Sequence, residues 1–188
     1  WFAVSFIWPD WNFRNISNNI RKSSKATLDY FDAIVDQYQY GKNNSVDYRK
    51  VRRFAHNSQI ELSSMISSLS TEPNPNQDLI HNAFRYLVYS HSQLSYVSAL
   101  GSHRVQVSDS QILELMLWCK DYLNQVLLNQ EPLDELLIQE KLTEIQHLNE
   151  QDNLSDDLQL ALKQISLLLE TLPELLKLKT TLLELEIK

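Results

Sequence analysis

The side chains of this sequence best suited to acid–base or metal chemistry are two histidines and an asparagine. His56 and Asn57 are adjacent, and His91 follows 35 positions after His56. Zinc needs more ligands than two histidines, and neither the single cysteine, Cys119, nor an HxxxH spacing supplies them. No catalytic triad pattern, P-loop or glycine-rich phosphate motif occurs. We therefore predict no catalytic residue, no metal site and no cofactor; metal binding and acid–base catalysis are the less favoured alternatives for the histidines.

We predict instead that His56, Asn57 and His91 form a buried, hydrogen-bonded polar layer between two helices. The stretch TEPNPN breaks a long helical pattern around Pro73. Antiparallel helices joined there bring His91, 18 positions after Pro73, level with Ala55, 18 positions before it. His91 also belongs to the apolar stripe of its helix, so we expect His91→Leu to disturb the packing of the hairpin. The stripe comprises Ile80, Phe84, Leu87, Val88, His91, Leu94 and Ser98.

A basic cluster surrounds the start of the second predicted helix. It comprises Arg49, Arg52 and Arg53 with the neighbouring Lys42 and Lys50. The antiparallel alignment of the two helices should also bring His103 and Arg104 beside this cluster. The forked donors of arginine suit carboxylate and phosphate groups. We favour ion pairing with the acidic second half of the chain, through residues such as Asp109, Glu114 and Asp121. Docking of another part of the same protein, and binding of a small anion such as a nucleotide or an aromatic acid, stay open.

The composition predicts long helices rather than sheets. Only 2 glycines and 5 prolines occur in 188 residues, and sheet proteins need many more tight turns. We predict an all-α fold, an antiparallel bundle of about six helices with a long Leu-rich C-terminal helix. A capping pattern predicts that one helix starts at Asn74, with Pro75 as its first helical residue. A second capping box, Ser108 with Gln111, predicts the start of the next helix.

Charge is unevenly distributed along the chain. Residues 1–104 carry a net charge of +3 and residues 105–188 one of −10, within a total of −7. An acidic half of this size argues against nucleic acid as a partner. The lone cysteine cannot form an internal disulfide, which is consistent with a reducing compartment.

The last predicted helix is rich in leucine on more than one face. A heptad register that begins at Leu158 is broken at Lys179 and again at Glu186, so the coiled-coil pattern is weak. We therefore predict a helix buried between its neighbours. A surface for self-association or for a partner helix is the alternative.

The first residues, WFAVSFIWPDW, predict the end of a membrane span. Aromatic residues are enriched where a membrane helix meets water, and basic residues follow on the cytoplasmic side. The residues that carry this pattern are Trp1, Trp8, Trp11, Arg14, Arg21 and Lys22. We therefore predict that residues 1–13 are the cytoplasmic end of a transmembrane helix and its membrane exit, and that residues 14–188 form a cytoplasmic helical bundle. An amphipathic core segment of a soluble protein is the alternative for the opening residues.

Three stretches resemble a known family: FIWPDWNFR, DYRKVRRFAHNSQIELSSMISSLSTEP and AFRYLVYSHSQLSYVSALGSHR. They are similar to the C-terminal part of YccS-type inner-membrane proteins, which belong to the fusaric acid resistance family of bacterial efflux proteins. The resemblance covers about residues 1–130, whereas residues 131–188 match only as an acidic, Leu-rich helical tail. It implies the final cytoplasmic region of an inner-membrane protein, with the transport pathway in helices outside this chain.

The residues and this resemblance together predict a non-catalytic cytoplasmic helical domain of an efflux transporter, serving assembly or regulation. The family implies export of aromatic or amphipathic acids. The expected partners are membrane lipid, the transmembrane part of the same protein and, in a homo-oligomer, further copies of the chain; nucleic acid is not among them. The alternative function is a soluble helical adaptor that binds a partner helix through its Leu-rich C-terminal helix.

Overall fold

The computed structural model describes residues 16–42, 45–71, 76–102, 106–150 and 154–187, with side chains as far as residue 185. These residues form six helices and no strand, so the predicted all-α fold is confirmed. The helices are α1 (Ile16–Tyr40), α2 (Val46–Leu69), α3 (Gln77–Leu100), α4 (Ser110–Leu128), α5 (Glu135–Asn149) and α6 (Asp156–Ile187). The predicted boundary between residues 13 and 14 lies outside the described residues.

Helix α1 lies at the centre of the bundle. Its side chains at positions 20, 27, 31, 34 and 38 follow the three-to-four-residue spacing of one helix face. Ala26, Tyr30 and Val35 are buried as well, so the buried surface of α1 is wide, and only a narrow side that includes Arg21, Lys25 and Asp36 is exposed. Four helices pack on it, namely α2, α3, α4 and α6.

Helices α2 and α5 lie at opposite edges of this arrangement. Helix α2 packs mainly on α1 and α3, and α5 packs mainly on α6. Helix α6 in turn packs most extensively on α3. The outer sides of α2 and α5 are consequently helix faces with few neighbours among the described residues.

Asparagine and aspartate side chains cap the starts of α3 and α4, at positions that differ from the prediction. Helix α3 has Asn76 as its N-cap instead of Asn74, and its side-chain oxygen accepts from the backbone N–H groups of residues 78 and 79. Helix α4 has Asp109 as its N-cap instead of Ser108. A carboxylate at this position also interacts favourably with the helix dipole, which explains why Asp109 replaces the neighbouring serine. The predicted cap residues Asn74 and Pro75 lie outside the described residues.

The leucine-rich helix α6 is buried between its neighbours, as predicted. Its buried leucines and isoleucine are Leu162, Ile165, Leu168, Leu169, Leu172, Leu175, Leu178 and Leu182. Burial of each such side chain contributes about 1.5–3 kcal/mol. Because this apolar surface is already covered by the rest of the chain, little of it is left for a separate partner helix.

None of the helices in the described ranges is both long and apolar enough to cross a membrane.

Candidate functional site

The three side chains predicted to form a buried polar layer are all exposed. His56 and Asn57 lie on the outer side of α2, and His91 lies on the outer side of α3. The predicted buried layer of His56, Asn57 and His91 is therefore wrong. The predicted proximity of His56 and His91 is nevertheless present, because both line one groove between α2 and α3.

The prediction fails because α3 buries a different face from the one that its apolar stripe predicts. The buried face consists of Leu79, Ala83, Tyr86, Ser90, Gln93, Leu94, Val97 and Leu100. Of the predicted stripe, Leu94 is buried and Ile80 and Leu87 pack partly against the core, whereas Phe84, Val88 and His91 are exposed. The buried face of α3 is thus rotated from the predicted one and includes the polar residues Ser90 and Gln93.

A buried polar layer does exist, and Gln59 is at its centre. The Oε1 atom of Gln59 accepts hydrogen bonds from Ser23 Oγ at 2.9 Å and from Ser90 Oγ at 3.0 Å. These bonds join α1, α2 and α3. Beside them, the Ser24 and Tyr86 hydroxyls are 3.3 Å apart, and burial raises the pKa of Tyr86 to about 12. The layer is neutral at physiological pH, so its role is to align three helices.

A second buried amide joins α3 to α6. Gln93 Nε2 donates to Leu168 O at 2.9 Å and to Thr171 Oγ1 at 2.8 Å. The adjoining cavity, lined by Ser24, Tyr86, Ser90 and Gln93 among others, has a volume of about 20 Å³. That space is close to the size of one water molecule, so this cavity is too small for an organic ligand.

The arginines of the basic cluster are exposed on α2 and have no ion-pair partner among the described residues. Arg49, Arg52 and Arg53 are all on the solvent side of the helix. Helix α2 packs mainly on α1 and α3, and among the described residues these arginines do not form the predicted pairs with Asp109, Glu114 and Asp121. The one ion pair here, Lys50 with Asp47 at 3.3 Å, joins side chains 72% and 87% exposed and contributes little to stability. His103 and Arg104 lie outside the described residues.

One turn from Arg52, His56 lines an open groove between α2 and α3 that has a volume of about 500 Å³. Ile60, which is 67% exposed, and Val88, which is 64% exposed, contribute its apolar surface. His91 lines it as well. Partial burial lowers the pKa of His56, and the nearby Arg52 and His91 lower it further. His56 is therefore mainly uncharged at neutral pH.

The residues predicted to contact the membrane are only partly within the described ranges. Trp1, Trp8, Trp11 and Arg14 lie outside them. Arg21 is exposed, whereas Lys22 forms an ion pair with Glu61 and lies over the ring of Phe54, 5.8 Å from its centroid. The Lys22 ammonium therefore links α1 to α2.

No cluster of three or more histidine, cysteine, aspartate or glutamate side chains that could hold a metal ion occurs in the described part of the chain. The sequence analysis did not identify two features of the structure. One is the hydrogen-bonded position of Gln59 in the core, and the other is the exposure of Ile60 and Val88. The first had a signal, because Gln59 falls on the α2 stripe that contains Leu62 and Ile66.

Comparison with known proteins gives three relatives in bacteria. Inner membrane protein YccS of Escherichia coli (strain K12) is 38% identical over 177 residues, which is 93% of this chain and 24% of that protein. An uncharacterized protein of Haemophilus influenzae is 34% identical over 111 residues, 59% of this chain and 16% of that protein. Uncharacterized protein ORF2 of Neisseria gonorrhoeae is 30% identical over 102 residues, 54% of this chain and 24% of that protein.

The chain thus spans at most about a quarter of the length of these relatives. No family model and no solved structure matches it. None of the comparisons names the fusaric acid resistance family. The similarity to YccS-type inner-membrane proteins is confirmed over nearly the whole of this chain.

Proposed function

We propose that this chain is the non-catalytic cytoplasmic helical region of a bacterial inner-membrane efflux transporter, where it serves assembly or regulation. The observation that carries the proposal is the 38% identity to an inner membrane protein over 93% of the chain. Export of aromatic or amphipathic acids is the activity that the family resemblance implies for the whole protein. Membrane lipid and the transmembrane part of the same protein are the proposed partners.

The geometry of the described residues supports a role without catalysis. The buried hydroxyls and amides of the polar layer are neutral and serve to join helices. His56 and His91 lie in an open groove, where neither is placed between a nucleophile and an orienting carboxylate, as an acid–base catalyst would be. The surfaces left for function are therefore those that bind other molecules.

The alternative function, a soluble adaptor that binds through α6, has less support. The leucines that would make the partner surface, Leu162, Leu169 and Leu172 among them, are buried against the rest of the chain. A partner helix would have to displace α3, on which α6 packs extensively.

A transport assay on the whole protein tests this proposal. In cells that produce it, removal of the region from residue 14 onwards should lower the amount of assembled protein in the inner membrane and the export of a panel of aromatic acids. The combined His56→Gln and His91→Gln substitution should leave export unchanged. Loss of export in the histidine variant with folding intact would show a chemical role, and unchanged assembly and export after removal of the region would contradict the proposal.

A further inference from the structure

The outer face of the α2–α3 pair has the composition of a binding surface. Ile60 of α2 and Val88 of α3 are each about two-thirds exposed across the groove between the two helices. Phe84, one turn before Val88, is 40% exposed. Contiguous apolar side chains exposed on a protein surface mark interaction sites.

Positive charge lies beside this apolar groove on the same helix. Residues 45–57 carry four basic side chains and one acidic one, a net charge of +3. Arg49, Arg52 and Arg53 have no ion-pair partner among the described residues, as set out above. The ligand of this surface should therefore combine an apolar anchor with carboxylates, as an acidic amphipathic helix does.

The opposite edge of the molecule has these properties. Residues 131–150, which include α5, carry six acidic side chains and one lysine, a net charge of −5. Leu136 on the outer side of α5 is 84% exposed. Glu135 and Glu140 flank it, are exposed, and have no ion-pair partner in the described part of the chain.

Leu136 and Glu140 of α5 have the same spacing as Ile60 and His56 of α2. Leu136 and Glu140 are one turn apart, about 6 Å along the helix axis. Ile60 and His56 are likewise one turn apart, and Arg52 and Arg53 follow within the next turn. An α5 helix laid antiparallel to α2 along the groove, with Leu136 between Ile60 and Val88, therefore places Glu140 level with His56 and within about one turn of Arg52 and Arg53.

Helices α2 and α5 of one chain do not pack extensively on each other among the described residues, so this contact would join two copies. We propose that the α2–α3 groove binds α5 of a second copy of this chain, so that copies join head to tail through complementary charge and the Leu136 anchor. This inference rests on the proposed assembly role and names its partner. A head-to-tail contact builds a ring if the rotation closes and a chain of copies if it does not.

Light scattering of the 188-residue chain over a range of concentrations tests the contact. The mass of the wild-type chain should rise with concentration, and less so at high salt, because salt screens charge pairs. Arg53→Glu and Glu140→Lys, made separately, should each weaken self-association about tenfold or more, since like charges then face each other. The double variant, which restores opposite charges in exchanged positions, should associate again.

Two matched substitutions serve as controls. Lys163→Glu reverses an exposed charge on α6, and Leu160→Ser replaces another exposed leucine; both should leave self-association unchanged. Leu136→Ser should weaken it. Circular dichroism and urea unfolding of each variant show that the fold is intact.

Three results would overturn the proposal. The first is a wild-type chain that stays monomeric at every concentration, and the second is a double variant that stays as dissociated as the single ones. The third is a monomer that binds vesicles containing phosphatidylglycerol only when Arg53 is present, which would assign the surface to anionic lipid. The readout does not involve transport, so a monomer would overturn this contact alone, whereas unchanged assembly after removal of the region would overturn the proposed function.

Discussion

At the scale of single residues, Gly101 is the position where packing leaves least room. It follows the last residue of α3, and its backbone φ of −65° is open to any residue. A Cβ atom there would be 2.8 Å from Tyr30 Oη and 2.9 Å from Tyr48 Oη. The two hydroxyls are 3.3 Å from each other, so glycine is required by the contact of three helices and not by backbone conformation.

Gly101→Ala should therefore destabilise the fold. The added methyl group must push apart the pair of tyrosine hydroxyls, at a cost of about 1–3 kcal/mol in the free energy of unfolding. Urea unfolding measures this cost. Tyr48→Phe in the Gly101→Ala background should recover part of the loss, and a loss no larger than that of Ser102→Ala on the exposed neighbour would contradict the packing argument.

A second residue-scale prediction concerns the charge of His56. Its pKa should lie below the ordinary value of 6.5, since partial burial disfavours the imidazolium and Arg52 and His91 repel it. Arg52→Gln should raise this pKa, and His91→Gln should raise it by less. NMR titration of the histidine ring protons measures all three values.

The lowered pKa also has a consequence for stability. Since the unfolded chain binds the proton more readily than the folded chain, the contribution of His56 is present above pH 6.5 and is lost as the pH falls through its folded pKa. His56→Gln should reduce the acid sensitivity of unfolding in that window. A pKa at or above 6.5 in the wild-type chain would show that the groove does not desolvate this ring.

At the scale of helices, the polar layer around Gln59 fixes how α1, α2 and α3 meet. Gln59→Leu would leave the buried hydroxyls of Ser23 and Ser90 without their acceptor. We expect a loss of about 1–3 kcal/mol in the free energy of unfolding. Replacing both serines by alanine in the same chain should recover much of it, because neither serine hydroxyl is then left buried without its acceptor.

His91→Leu is the matched control on the same hairpin. The sequence predicted that it would disturb helix packing, but His91 is exposed, so we now expect a change within about 0.5 kcal/mol. Urea unfolding of Gln59→Leu and His91→Leu under the same conditions compares the observed layer around Gln59 with the predicted layer around His91. A larger loss for His91→Leu than for Gln59→Leu would contradict the assignment of the buried face of α3.

These two helices also show what the sequence could predict. The number of helices, the pairing of α2 with α3 and the burial of α6 followed from turn residues and apolar spacing. The buried face of α3 did not. Apolar periodicity predicts which face of a helix is apolar, but it does not show whether that face is covered by the same chain. On α3 the core face includes Ser90 and Gln93, which bond to α2 and α6, among its apolar residues, whereas Phe84 and Val88 of the predicted stripe are exposed.

Lys179 of α6 is a related case. It breaks the leucine heptads in the sequence, yet it is buried, and its Nζ donates to Leu127 O at 2.6 Å near the end of α4. A lysine at this place satisfies a helix carbonyl that has no partner within its own helix. Burial and the nearby Arg21 lower its pKa. The location of such a contact depends on tertiary structure, which heptad spacing does not report.

At the scale of the whole molecule, the chain has a basic edge at α2 and an acidic edge at α5 separated by the core. Cys119 lies inside that core and is the single thiol of the chain. Burial raises its pKa to about 12, so it should react with thiol reagents only when the bundle opens. Labelling kinetics in increasing urea should follow global unfolding, and rapid labelling of the native chain would contradict the packing of α4.

The absence of a reactive native thiol makes disulfide cross-linking the most direct test of the assembly role. The whole protein is produced in bacterial membranes with Ile60→Cys and Leu136→Cys together and with the cysteines of its other regions replaced by serine. On oxidation, the account predicts a covalent dimer and higher species that neither single-cysteine variant gives. A disulfide that forms only within one chain would contradict it. So would the absence of any disulfide under conditions where the protein is folded and inserted.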